Sequence, residues 1–84
     1  MGYYYFQCRS ITYAQRASKF LRNHSIYVGI VKLPLNISPD GCGYSIKVSE
    51  RYRVKAVNLL NTNNFEFKRV FFSADEKEYR EVQL

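Results

Sequence analysis

Alternating apolar and polar residues mark the clearest strand of the chain. Between residues 44 and 48, every second position is apolar and the positions between them are Ser45 and Lys47, which is the period-two pattern of a strand with one buried face. Runs rich in aromatic or β-branched residues predict three further strands. These predicted strands cover residues 3–8, 26–32 and 65–73.

Two segments repeat their apolar residues at helical spacing. From residue 11 to about residue 23, small and apolar residues fall on one side and most Gln, Lys and Arg residues on the other, which predicts an amphipathic helix capped by Ser10. A second helix is predicted from Ser49 or Glu50 to about residue 61. The predicted buried stripes are Ile11, Ala14, Ala17, Ser18 and Leu21 in the first helix, and Val54, Ala56, Val57 and Leu60 in the second.

The predicted order of elements is β-α-β-β-α-β over a domain of residues 1–73, followed by a polar C-terminal tail, residues 74–84. Short connections and right-handed crossovers favour a ferredoxin-like α+β sandwich, in which two helices pack on one face of a four-stranded antiparallel sheet. Strands 1 and 3 are then central neighbours that run antiparallel. The end of strand 1, at Cys8, is therefore predicted to lie near Cys42, which precedes strand 3.

The loop between strands 2 and 3, residues 33–43, contains both prolines and two of the four glycines. Cys42 lies between Gly41 and Gly43, and glycines permit positive φ angles and the close approach of another molecule. One interpretation is that this loop presents a reactive thiol. The other is an ordinary turn in which Cys42 is a small buried residue, because cysteine is among the most buried residue types.

Two residues at the end of strand 1 are candidates to act on that thiol. Arg9 precedes the first helix, whose N-terminal N–H groups favour an anion, and together they would lower the pKa of a nearby cysteine. Cys8 is a candidate thiol partner for Cys42 if the two strands are adjacent. The alternative for Cys8 is a buried core residue at a strand end.

The composition predicts one small globular domain in the cytoplasm. Hydrophobic residues make up 46% of the chain, which is too many for a disordered protein, and no apolar run approaches the ~20 residues that span a bilayer. We see no secretory signal, so the two cysteines indicate reduced thiols. The formal net charge of +6 permits acidic or nucleic-acid partners. The chain lacks a zinc-ligand set, a phosphate loop and paired acids, and we therefore expect no metal, no cofactor and no conventional enzyme.

Pro34, Ile37-Ser38 and Cys42-Gly43, followed by an alternating strand, resemble the motif of a small bacterial family named putative selenium/sulfur carrier-like proteins. The resemblance covers roughly residues 4–72. It implies that Cys42 carries sulfur or selenium as a persulfide or selenosulfide, and that the partners are sulfur or selenium donor and acceptor proteins.

The chain departs from the family pattern at Leu35, where an Arg often follows the loop proline. Arg9 or Lys47 would then supply the positive charge that stabilises a thiolate. Cys8, if it is within reach, would resolve a persulfide on Cys42 by releasing sulfide and leaving a disulfide.

Two alternative functions use the sheet instead of the loop. An RNA recognition motif has the same order of elements and stacks bases on aromatic residues of strands 1 and 3. Here Tyr3 and Tyr5 would supply the rings and Lys47 a charge, but strand 3 adds no ring to that face, which makes nucleic acid the less favoured partner. The other alternative is a dimeric interaction module in which Tyr3 and Tyr5 pack sheet against sheet in a homodimer.

Overall fold

The computed structural model describes residues 2–34, 37 and 43–83. Within these residues, no helix is long and apolar enough to cross a membrane. The strands are β1 (Tyr3–Gln7), β2 (Val28–Lys32), β3 (Tyr44–Ser49), β4 (Arg69–Ser73) and β5 (Arg80–Val82), and the helices are α1 (Ile11–Arg22) and α2 (Arg53–Thr62), with a 3-10 turn at Glu50–Tyr52 before α2.

The strands form one antiparallel sheet in the order β2-β3-β1-β4-β5. β1 lies at its centre, where Tyr5 is opposite Lys47 on β3 and Phe71 on β4. The α+β class and the prediction that strands 1 and 3 are antiparallel neighbours are therefore confirmed.

The prediction of four strands is wrong, because Arg80–Val82 forms a fifth strand along β4. This strand lies in the segment that the sequence assigns to a polar tail. Three residues are too few to show a period-two pattern, and Arg80 and Glu81 are exposed. β5 therefore forms because the edge of β4 is open to pairing, and the sequence of β5 shows no pattern that would predict it.

One face of the sheet packs against both helices. As the helical spacing predicts, α1 buries Ala14, Ala17 and Leu21 there. Two of these three residues are alanines, and their small side chains let the helix lie close to the sheet. The predicted cap is confirmed, because Oγ of Ser10 accepts a hydrogen bond from the N–H of Tyr13 at 3.1 Å. The strands contribute Phe6, Val28, Ile46 and Val48 to this core, and α2 contributes Ala56 and Leu60.

Several predicted features differ from the structure. Ile11 was expected in the buried stripe of the first helix but is 37% exposed, because it is the first residue of α1 and lies at its end. The second strand begins at Val28 and not at residue 26. Val54 was expected in the buried stripe of the second helix but is 65% exposed, because the α-helix begins only after the 3-10 turn and buries Ala56 and Leu60 instead. The fourth strand begins at Arg69 and not at residue 65. Phe65 and Phe67 meet the ring of Tyr13 from irregular chain, so their aromatic side chains are partly buried without sheet pairing.

The other face of the sheet carries a smaller apolar group, which we call the second-face cluster. Leu33 and Ile37 belong to the loop after β2, and Tyr79 belongs to the connection between β4 and β5. The cluster therefore joins the loop to the C-terminal segment across the sheet. Its buried members are Tyr5, Leu33 and Phe71, and its half-buried members are Tyr3, Val31, Ile37 and Tyr79.

Candidate functional site

A backbone hydrogen bond closes the base of the loop that contains Cys42. The N–H of Leu33 donates to the carbonyl oxygen of Gly43 at 2.8 Å. A Cβ atom on Gly43 would lie 3.0 Å from the oxygen and 3.3 Å from the nitrogen of Leu33, and such contacts are tighter than most side chains make. The glycine that the sequence marks beside the cysteine is therefore the residue that lets the two chain segments meet.

Ile37 attaches the loop at a second point. Its N–H donates to the carbonyl oxygen of Pro34 at 3.0 Å, and its side chain packs in the second-face cluster. The predicted site residues Cys42, Ser38 and Gly41 lie outside the described residues. Along the chain they fall between the two attached positions, Ile37 and Gly43.

Cys8 lies directly beside the start of β3. Its N–H donates to the carbonyl oxygen of Tyr44 at 2.8 Å, and Tyr44 is two residues after Cys42 in the sequence. The Cys8 side chain is fully buried in the core on the helix-covered face, where its thiol donates to the carbonyl oxygen of Phe6 at 3.4 Å. Cys8 therefore occupies a buried core position, which is the alternative role predicted for it.

Arg9 follows Cys8 and lies at the N-terminal end of α1. Its guanidinium carbon is 4.6 Å from the centre of the Tyr13 ring, at the wall of a cleft of about 390 Å³. The turn after α2 also lines this cleft. That turn is far from Arg9 in the sequence, so no local pattern predicted the cleft. The residues lining it are Arg9, Ser10, Thr12, Tyr13, Arg16, Asn63, Asn64 and Phe65.

Lys47 lies on the second face of the sheet, away from the face that buries Cys8. Its ammonium forms an ion pair with Glu76 and lies 4.2 Å from the centre of the Tyr3 ring. No local sequence pattern indicated Glu76 as its partner, because the two residues are 29 positions apart. Of the predicted candidates, Cys8 and Arg9 thus lie together at one end of β1. Lys47 lies three residues after Tyr44 on β3, on the opposite face of the sheet from the Cys8 side chain.

Tyr5 is also on the second face, but it is covered. It is only 2% exposed, and the ring of Tyr79 packs edge-on against it with ring centroids 5.1 Å apart. Burial, with the nearby Tyr79 and Glu76, raises the pKa of Tyr5 well above its usual value. The Tyr5 ring therefore offers no open surface on which a base could stack.

Comparison with known proteins identifies the family. The profile of the family described as "Putative Se/S carrier protein-like" matches residues 3–71, a range that runs from β1 into β4 and includes the loop with Cys42. No curated protein and no solved structure matches the chain. Since the match covers most of the sequence, the chain belongs to the Putative Se/S carrier protein-like family.

Proposed function

We propose that this protein carries sulfur or selenium on Cys42 and passes it from a donor protein to an acceptor protein. The observation that carries the proposal is the family match over residues 3–71, because that range contains the Cys42-Gly43 pair and the loop in which it lies. A carrier role also agrees with the sequence, from which we expect no cofactor site and no pair of acidic residues for acid-base catalysis. We therefore propose a binding and transfer protein, not an enzyme that acts on a small substrate.

The proposed transfer needs only one thiol and two partners. The Cys42 thiolate attacks the outer sulfur of a donor persulfide, R–S–SH, so that a new sulfur–sulfur bond forms on Cys42 and the donor thiolate leaves. The proton of the persulfide stays on the transferred sulfur. An acceptor thiolate then attacks the same outer sulfur, which regenerates the Cys42 thiolate. A donor of the form R–S–SeH would load selenium by the same exchange.

The attachments of the loop support this role. The cysteine lies in a stretch, residues 38–42, between Ile37 and Gly43, and these flanking residues are held by the second-face cluster and by Leu33. A short stretch anchored at both ends loses less conformational entropy when a partner binds it than an unanchored one would. In the sequence, both neighbours of Cys42 are glycines, Gly41 and Gly43, and residues without side chains favour the close approach of another protein.

Among the candidate cations, Arg9 is better suited than Lys47 to stabilise the thiolate. Arg9 lies at the end of β1 that pairs with the start of β3, together with the positive N-terminal end of α1. Lys47 is already paired with Glu76. We propose that Arg9 either stabilises the ionised form of Cys42 or binds an acidic surface of the donor protein.

We assign the carried atom to Cys42 alone, with Cys8 as a core residue. Resolution by Cys8 would require its thiolate to attack the inner sulfur of the Cys42 persulfide and release HS⁻, leaving a disulfide. A thiol buried in the helix-side core can do this only after the end of β1 opens. Loss of two hydrogens in the intact mass after persulfide treatment would reveal that disulfide.

The architecture supports a ferredoxin-like assignment. The first four strands have the order β2-β3-β1-β4, and both helices pack against one sheet face. We propose a ferredoxin-like sandwich extended by β5. The homodimer through the second face stays a prediction, and sedimentation over a concentration series tests it.

The experiment is persulfide loading followed by intact-mass measurement. The wild type, Cys42→Ser and Cys8→Ala are each incubated with a low-molecular-weight persulfide, and the gain of one sulfur atom is measured. We expect the gain in the wild type and in Cys8→Ala but not in Cys42→Ser. Alkylation of Cys42 as a function of pH should give a thiol pKa below the ordinary value of about 8.5.

The matched cysteine variants make the result decisive. A sulfur gain that persists in Cys42→Ser, or is absent from the wild type, would contradict the assignment. Circular dichroism of each variant before loading shows whether the fold is intact, so that a loss of loading is attributed to the thiol and not to unfolding.

A further inference from the structure

The C-terminal segment between β4 and β5 places an aromatic ring on the centre of the sheet. Tyr79 packs edge-on against Tyr5, with ring centroids 5.1 Å apart, and edge-to-face pairs of this kind are favourable beyond the area they bury. Tyr5 is on the central strand β1 and is 2% exposed. Tyr79 lies beyond residue 71, where the family match ends.

Hydrogen bonds within the segment fix the position of that ring. Oδ1 of Asp75 accepts from the N–H groups of Lys77 at 2.9 Å and Glu78 at 3.0 Å. The hydroxyl of Tyr79 donates to the carbonyl oxygen of Glu76 at 3.2 Å. The segment therefore forms an ordered turn that returns Tyr79 to the sheet.

The cluster under Tyr79 also holds both ends of the loop that contains Cys42. Leu33 is a buried member of the second-face cluster, and its N–H bonds to Gly43, the residue after Cys42. Ile37, the last described residue before Cys42, packs in the same cluster. Because Tyr79, Leu33 and Ile37 share one small apolar group, the removal of one member loosens the packing of the others.

We propose that Tyr79 is a positioning residue for the Cys42 loop and acts through the second-face cluster. The C-terminal segment then determines how tightly Leu33 and Ile37, and with them the two ends of the loop, are held. This inference rests on the proposed function, in which the loop presents the thiol of Cys42. Its test, however, measures the exposure of Cys42 and not whether Cys42 carries sulfur.

The first measurement is residue-resolved amide hydrogen exchange in Tyr79→Ala and in the wild type. We expect the N–H groups of Leu33 and Ile37 to exchange faster by about 2- to 10-fold, the range that corresponds to the loss of one aromatic pair. The N–H of Ile26, which bonds to Leu21 on the helix side at 3.1 Å, should keep its wild-type rate. Faster exchange at Ile26 to the same extent would indicate global destabilisation and overturn the proposal.

The second measurement is the rate of Cys42 alkylation at high pH, where the thiol is fully ionised and differences in pKa no longer contribute. We expect this plateau rate to rise by about 2- to 10-fold in Tyr79→Ala, because a loosened loop exposes its thiol more often. Tyr79→Phe retains the ring but loses the hydrogen bond of the hydroxyl to Glu76, and its rate should be closer to that of the wild type than to that of Tyr79→Ala. The control Tyr27→Ala removes a tyrosine that is 80% exposed and should leave the rate unchanged.

Two further variants keep the test decisive. If Tyr79→Ala does not fold, Tyr79→Leu removes the aromatic contact with less loss of volume. Ile37→Ala removes the loop side of the same contact group, and the double variant with Tyr79→Ala should show less than the sum of the two single effects. Wild-type alkylation and exchange rates in folded Tyr79→Ala or Tyr79→Leu would overturn the proposal even if Cys42 is loaded with sulfur. Failure of persulfide loading in the wild type would instead reject the carrier function.

Discussion

The N–H of Leu33 lies 2.8 Å from the carbonyl oxygen of Gly43, and this bond joins the two ends of the segment that contains Cys42. The same approach leaves little room for a side chain, since a Cβ atom on Gly43 would meet the Leu33 oxygen at 3.0 Å. Leu33 is in turn buried in the second-face cluster. The base of the loop is therefore part of the packed structure of the sheet.

Gly43→Ala is expected to lower the free energy of unfolding by roughly 1–3 kcal/mol, because backbone atoms of Leu33 must shift to admit the methyl group. Urea denaturation measures the change. Gly29→Ala is the matched control on the neighbouring strand, since nothing lies within 4 Å of the added Cβ, and its midpoint should stay the same or rise. Equal midpoints for the two variants would contradict the tight contact at Gly43.

Two tyrosine-to-phenylalanine substitutions test which tyrosine hydroxyl makes a stabilising hydrogen bond. The Tyr5 hydroxyl is buried and has no hydrogen-bond partner among the described residues, so Tyr5→Phe should leave the free energy of unfolding unchanged or raise it by about 1 kcal/mol. The Tyr13 hydroxyl accepts the N–H of Glu66 at 2.6 Å, so Tyr13→Phe should lower it by about 1 kcal/mol. Denaturant midpoints in the reverse order would contradict this assignment of partners.

Differential alkylation tests the placement of Cys8. Because its side chain is fully buried, we expect Cys8 to react with a small alkylating reagent only through opening of the core, whereas both cysteines react in denaturant. Peptide mapping after a brief native pulse measures the two sites separately. Equal labelling of Cys8 in the native and denatured protein would show that Cys8 is outside the core.

Local patterns were sufficient to predict much of the fold. The alternation in residues 44–48 predicts β3, and the small-residue stripe of α1 predicts the burial of Ala14, Ala17 and Ser18. Their chain order then predicts that β1 and β3 are neighbours, which places Cys8 beside Tyr44. These features could be predicted because each depends on periodic burial or on the handedness of short connections.

The cover over the second face could not be predicted in this way. It depends on Tyr79 against Tyr5 and on Glu76 with Lys47, which are single contacts between residues far apart in the sequence. The same holds for the site, where the sequence marks Gly43 as a turn residue but only the structure gives its contact with Leu33. Aromatic content was also misleading at Phe65, where a predicted strand is irregular chain.

The turn that returns Tyr79 to the sheet should depend on pH through Asp75. Hydrogen bonds from the backbone N–H groups of Glu78 and Lys77 lower the pKa of this carboxyl below its usual value of 3.8. A group whose pKa is lower in the folded state stabilises that state fully above its unfolded pKa, and the stabilisation is lost as the pH falls through the folded pKa. The turn should therefore be intact at neutral pH and should loosen in acid, at a pH below 3.8.

An NMR titration of the Lys77 and Glu78 amides from neutral pH to about pH 2 measures this transition. Asp75→Asn keeps an oxygen that can accept both hydrogen bonds but does not titrate, so its amides should lack the acid transition. Asp75→Ala lacks the acceptor, and the two amides should exchange rapidly at every pH. A wild-type midpoint at or above 3.8 would show that these bonds do not stabilise the carboxylate, because stronger hydrogen bonding to the ionised form can only lower its pKa.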